Sequence, residues 1–326
     1  MKYFIFSLLF ILSFSCANKE EDIISAKKEA LYYLSSGDCS AAKKALDSVS
    51  PDSDDKVYVS LYASVYECLA GYKELTTVLG NLDSLDASAL NLFSTLAAFD
   101  SSQEVTAPDD YKYTNILKAL DVIQNSSTPT GAIGRIQKFG RAQAGELNYQ
   151  ALFLTTIALG KYLAAYGNVD ATGSKGTGSG GATLVCLAQY NYSNVNNDYL
   201  DDLANDSCTG STTANNNVSI LITDTEYERR LCEGVVLYNN FLDLLINLEL
   251  PLDTSELGNL IDAQDVLKDI KSAATTYLAA NGDGPAISTY ENIYMISTCV
   301  STAKLNTTNK NYLEAYYSVF VEGNHN

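Results

Sequence analysis

Seven cysteines and one histidine carry most of the reactive chemistry open to this 326-residue chain: Cys16, Cys39, Cys68, Cys186, Cys208, Cys232, Cys299 and His325. A structural zinc site needs four cysteine or histidine ligands, commonly in CxxC pairs. The sequence has no CxxC and a single histidine, so no metal site is expected. With Cys16 set apart, six cysteines remain. An even number suits disulfides in an oxidising compartment, and buried free thiols are the alternative. His325 lies in a polar stretch at the end of the sequence, where chains commonly fray. That placement argues against a histidine general base or a histidine-containing triad.

Two further patterns invite a nucleotide or metal reading. Residues 176–181, GTGSGG, fit GxGxxG. A dinucleotide site needs a strand before those glycines and a helix opening at their end. Here helical periodicity precedes them, ending near Tyr166, and a further polar stretch intervenes, so a loop is expected. GSKGTGSG lacks the Lys-Ser/Thr pair that ends a Walker phosphate loop. Carboxylates cluster at Asp52, Asp54 and Asp55, at Asp109 and Asp110, and at Asp198, Asp201 and Asp202. None has the alternating ligands and turn glycine of a calcium loop. The first two clusters fit helix N-termini, where carboxylates complement the dipole, and calcium stays open for the third. A glycosidase would pair two carboxylates, and no spacing here singles out a pair. Tyrosine supplies 23 of the aromatics, against 10 phenylalanines and no tryptophan. Tyrosines can line a groove or interface, but at helical spacing most are expected to pack the core. No catalytic residue and no cofactor is assigned, and ligand-binding residues stay unassigned.

At the N-terminus, Lys2 precedes an apolar run over residues 3–14, broken by Ser7 and Ser13, then Ser15 and Cys16. The run is too short to span a bilayer and suits the core of a secretory signal. With a cysteine at the cleavage point, it resembles the signal of a bacterial lipoprotein. That resemblance implies a signal peptide at 1–15, lipid on Cys16, and a polar tether over 16–22. It also implies several acyl chains, because one alone anchors only marginally. With Ala17 next, such a chain is expected at the outer membrane, facing the periplasm. The other reading is an ordinary secretory signal, cut elsewhere, with Cys16 incidental.

The formal net charge is −18. Residues 16–170 hold thirteen basic and twenty acidic side chains, and residues 171–326 hold seven and nineteen. Such a balance repels phosphate backbones and predicts no basic groove, which excludes nucleic acid as a partner. It also leaves the lipid on Cys16 as the expected membrane contact.

The elements that would position these residues read as helices throughout. Three-four apolar spacing predicts helices over 23–34, 39–49, 57–69, 75–82, 87–99, 111–124, 147–166, 223–248, 261–280, 286–303 and 312–321, with a weak one at 132–139 around Gly134. Residues 147–166 are almost wholly apolar, but Asn148, Gln150 and Lys161 favour a helix buried on all sides over a membrane span. The stretch at about 167–222 is rich in Gly, Ser, Thr and Asn and reads as a loop-rich insert around a short apolar element at 182–188. The class is all-α: a single helical domain over 23–326.

Gly37 and Gly71 fall in turns 34 residues apart. With Tyr33, Asp38, Ala42, Leu46 and Pro51, the stretch 23–82 resembles degenerate tetratricopeptide repeats. The expected architecture is therefore antiparallel helix pairs stacked as a TPR-like α-solenoid, or an irregular helical bundle. Cys39 starts one helix after the first turn, and Cys68 ends the next helix before the second. Helices joined by short loops run antiparallel, so the two thiols belong at one end of the stack and are expected to form a disulfide. Cys186, Cys208, Cys232 and Cys299 would form two more bonds in one of three pairings; the favoured one is Cys186–Cys208, which would staple the insert, leaving Cys232–Cys299.

Together these features lead to a non-enzymatic, lipid-anchored helical-repeat protein that binds another envelope protein. A periplasmic small-ligand binder resembling the T component associated with TRAP transporters is the alternative, and an enzyme ranks third. A groove open to solvent would favour the first, and a central tyrosine-lined cavity the second. Replacing Cys16 with Ser should move the protein from a detergent-requiring to a soluble fraction; wild-type protein extracted without detergent would refute lipidation.

Overall fold

Short polar residues and glycines set where the helices start and stop. The protein's structure, a computed structural model, describes residues 18–72, 92–98, 110–176, 185–195, 208, 220–247 and 258–325. Helix α1 (Asn18–Ser36) ends at Gly37, and α2 (Cys39–Asp47) starts at the Asp38 cap. Helix α3 (Lys56–Ala70) runs from the Asp55 cap to Gly71. Gly37 and Gly71 have φ of 77° and 80°, the left-handed region that glycine enters without steric cost. Both ends close alike. Gly37 N–H donates to the Leu34 carbonyl (3.1 Å) and Asp38 N–H to that of Tyr33 (2.9 Å). Gly71 N–H donates to the Cys68 carbonyl (3.0 Å) and Tyr72 N–H to that of Glu67 (3.1 Å). The tether expected over 16–22 is helical from Asn18 onward. Glu20 and Glu21 lie in the first turn of α1, where their charge suits the positive end of the helix dipole.

Helices α4 (Leu92–Ala98), α5 (Tyr111–Gln124), α6 (Ala132–Phe139), α7 (Arg141–Gly167) and α8 (Tyr227–Asn247) follow. The last four are α9 (Gly258–Ala280), α10 (Gly284–Tyr290), α11 (Ile296–Ala303) and α12 (Thr307–Tyr317), which a π-helical turn, Ser318–Glu322, extends. Helix makes up 74% of the described chain, against roughly a third in an average globular protein. Among the described residues no strand forms, only one isolated bridge between Ala188 and Ile220. The fold is all-α. The helix expected at 75–82 lies outside the described residues.

Helix α7 is the centre. It is buried along most of its 27 residues and touches α3, α4, α5, α6 and α8. Its polar side chains are engaged, not wet. Gln150 donates to Glu67 (2.7 Å) and accepts from Ser60 (3.1 Å), while Asn148 accepts from Arg135 (2.6 Å). Lys161 is fully buried, its Nζ 5.2 Å from the centre of the Tyr72 ring. No described helix is long and apolar enough to cross a membrane. A smaller core of Ala30, Ala42, Ala45, Leu46, Tyr58 and Val65 joins α1, α2 and α3.

One expectation is corrected. The helix expected over 286–303 is two, α10 and α11. Asn239 of α8 donates to the carbonyls of Tyr290 (2.7 Å) and Ile293 (3.0 Å), and Asn240 donates to that of Tyr294 (3.0 Å). Side-chain amides thus satisfy carbonyls that a continuous helix would have used. The insert, expected to be loop-rich, carries core side chains in its described parts. Val185, Cys186, Leu187, Ala188, Tyr190, Val195, Cys208 and Ile220 are buried in the main core. Helix α6 forms over Ala132–Phe139, the span expected, with Gly134 inside it.

Gly134 is there because the Pro129 carbonyl oxygen occupies the place of a Cβ. The chain needs that close approach so that Arg135 can turn inward to Asn148 and Gln124. Gly134→Ala should therefore cost about 3 kcal/mol. Gly145→Ala in α7, where a Cβ meets nothing within 4 Å, should stabilise by up to ~1 kcal/mol through helix propensity. Urea unfolding of both variants checks the contrast.

Candidate functional site: a lysine and tyrosine groove

Three helix faces converge on one groove of about 600 Å³, open to solvent. Helix α2 buries Ala42, Ala45 and Leu46, so its opposite face, Ser40, Lys43, Lys44 and Asp47, forms one wall. Helix α5 buries Tyr113, Ile116 and Leu120 and turns Tyr111, Asn115 and Lys118 toward the other wall. Helix α3 lies between and supplies the floor through Tyr66 and Leu69. Tyr58, Tyr62 and Tyr66, one helical turn apart, form a ladder of rings with centroids 5.8 and 5.4 Å apart. Lys43 and Lys118 both approach the Tyr66 ring, at 5.8 and 6.0 Å from its centre.

The charges are unevenly engaged. Asp47 accepts from Lys43 (2.6 Å) through one oxygen and from Tyr62 (2.7 Å) through the other. Partial burial opposes its ionisation, but these bonds and the Lys43 charge outweigh it and hold its carboxyl below the ordinary range. The hydrogen bond to Asp47 likewise raises Lys43. Burial first, then the bond to Asp47, pushes the Tyr62 phenol well up. Among the described residues neither Lys44 nor Lys118 has a carboxylate within ion-pair distance. The acidic average excluded a basic groove; the correction is local, because helix periodicity gathers lysines that are scattered in sequence.

No protein-family model, no curated protein and no solved structure matches this chain. The site must therefore be judged on its own geometry.

The cysteines pair as expected. Cys39–Cys68, Cys186–Cys208 and Cys232–Cys299 are disulfides with Cα separations of 5.5, 5.6 and 5.6 Å. The last four cysteines are buried, whereas Cys39 and Cys68 are half-buried. Cys39 precedes Ser40 on the groove wall and Cys68 precedes Leu69 on its floor, so this bond ties two sides of the groove. Cys16 lies outside the described residues, as do Asp109, Asp198, Asp201, Asp202 and all of GTGSGG after Gly176. Asp55 and Asp110 cap α3 and α5 through backbone bonds of 2.7–3.2 Å. Among the described residues no cluster of metal-ligating side chains forms. A second hollow of about 410 Å³ has one cation, Lys138, already bonded to Ser53, Ser126 and Asp54.

His325 is corrected. It is fully buried, not frayed, and Nε2 donates to the Gly173 carbonyl at 2.9 Å. The π turn after α12 carries Glu322 into the core, where it pairs with buried Lys175 and accepts from Leu187 N–H (2.8 Å) and Tyr190 OH (3.0 Å). Glu314 accepts from the Asn191 and Tyr192 N–H groups, both at 2.8 Å, and burial raises its carboxyl. These carboxylates pin the insert to the C-terminal helix. Sequence reasoning passed over them because lone glutamates in a helix read as surface residues.

Burial, then the nearby Lys175 charge, pushes His325 down from 6.5 to about 3. Between those values the unfolded chain binds a proton that the fold refuses, so stability rises with pH through that window and is lost as pH falls. The expected slope from this group is about 1.4 kcal/mol per pH unit. His325→Gln keeps a donor for Gly173 but does not titrate. Stability against pH, compared between the two proteins from pH 6.5 to 4, should be flatter in the variant.

Proposed function

We propose that this is a non-enzymatic, lipid-anchored protein-binding adaptor of the bacterial cell envelope, held at the outer membrane and facing the periplasm. The observation that carries the reading is the open groove between α2, α3 and α5. It offers tyrosine rings, one leucine and two lysines, Lys44 and Lys118, that have no carboxylate partner among the described residues, the mix of apolar contact and polar rim from which interfaces are built. Three disulfides support an oxidising compartment, in line with export and lipidation at Cys16. The stacked helices α1, α2 and α3 suit the helical-repeat reading, whose extended surfaces serve partner binding.

A small-ligand binder resembling the TRAP-associated T component would need a central cavity. The central tyrosines instead bond to one another and to backbone. Tyr162 OH meets Tyr317 OH at 2.9 Å and the Arg230 carbonyl at 2.8 Å. His325, locked between Gly173 and Gly167, is in no position to act as a base toward a substrate. Both features favour the adaptor.

A photo-crosslinking amino acid placed at exposed Tyr111, on the groove wall, tests this in intact cells. A discrete protein adduct should form there and not from exposed Leu305, after α11. Equal labelling at both positions, or none at either, overturns the adaptor reading.

A further inference from the structure

Resting on the adaptor reading, we infer that the groove between α2, α3 and α5 receives an acidic, extended segment of its partner protein. The charge points that way. The chain carries −18 overall, yet the groove holds three lysines against one aspartate. That aspartate is occupied on both oxygens by Lys43 and Tyr62. Lys44 and Lys118 stand on opposite walls without a carboxylate among the described residues, so an entering chain meets a cation from either side. Carboxylates are the groups that bond such ammonium ions most strongly.

The shape adds a length and a second requirement. Nine-residue α2 forms the wall, about 13 Å long at helical rise. An extended chain covers that in about four residues. Tyr66 and Leu69 make the floor apolar, so one apolar side chain pointing down between upward-facing acids fits best. A nucleic acid would gain only two or three phosphate contacts while meeting the field of an acidic protein. A membrane surface is broad, and the lysines lie inside a concave groove.

Fluorescence anisotropy with the detergent-solubilised full-length protein tests the proposal. The probe is a labelled hexapeptide of five glutamates around one leucine, and the control replaces each glutamate by glutamine. The acidic probe should saturate the protein and bind ~10-fold or more tightly than the control. The double variant Lys44→Glu/Lys118→Glu should lose ~10-fold or more in affinity, while its melting temperature stays that of the wild type, since both side chains are solvent-facing. Equal binding of the two peptides, unchanged affinity in the double variant, or no saturable binding overturns the inference. So does a lysine-dependent association with phosphatidylglycerol vesicles in its place, or a wild-type dimer that the same variant dissociates. An adduct at position 111 without acidic-peptide binding would leave the adaptor reading standing and remove only the acidic segment.

Discussion

A 27-residue helix surrounded on every side sets the terms for the rest of this fold. An isolated helix of α7's composition would expose a continuous apolar surface, and the chain has to cover it from all directions. That demand explains why five helices drawn from both halves of the sequence touch α7. It also explains why its few polar side chains are strongly specifying. Gln150 must meet Ser60 and Glu67 of α3, and Asn148 must meet Arg135 of α6, because an unpaired polar group there would cost several kcal/mol. Those bonds fix the rotation of α3 about its axis. The same rotation turns Tyr66 and Leu69 outward as the floor of the groove.

The local features were legible in the sequence. Residues 111–124 form a helix with the expected ends, the turns at Gly37 and Gly71 stop helices, and the three cysteine pairs form. The helix ends and turns follow from spacing, caps and short loops, which act within a few residues; Cys39–Cys68 follows from the antiparallel run of α2 and α3, and Cys232–Cys299 was what the other pairs left. What was misread depends on partners far away in sequence. Residues 286–303 carry helical spacing throughout, yet Asn239 and Asn240 take the carbonyls of the middle. Residues 185–195 lack periodicity and look like loop, yet Glu314 and Glu322 satisfy their N–H groups inside the core. His325 sits in polar company along the chain and in apolar company in space.

The groove was half legible. That α2 has a polar face of Ser40, Lys43, Lys44 and Asp47 follows from the apolar face opposite. That this face looks across α3 at Lys118 does not follow, because the register of α5 against α3 is set by packing between segments more than 40 residues apart. Composition misled in the same way: a chain with a large negative excess can still build a positive recess, since sign is decided over the few ångströms that a contact spans.

The half-buried Cys39–Cys68 bond ties the wall of the groove to its floor. With the two thiols reduced, α2 would hold its place against α3 through a small alanine-rich core and the hydrogen bonds that Tyr58 and Tyr62 donate to Leu46 and Asp47. Closing this bond therefore does more than strengthen the N-terminal helices. It fixes the groove wall against the floor, so the shape of the recess is a property of the oxidised protein.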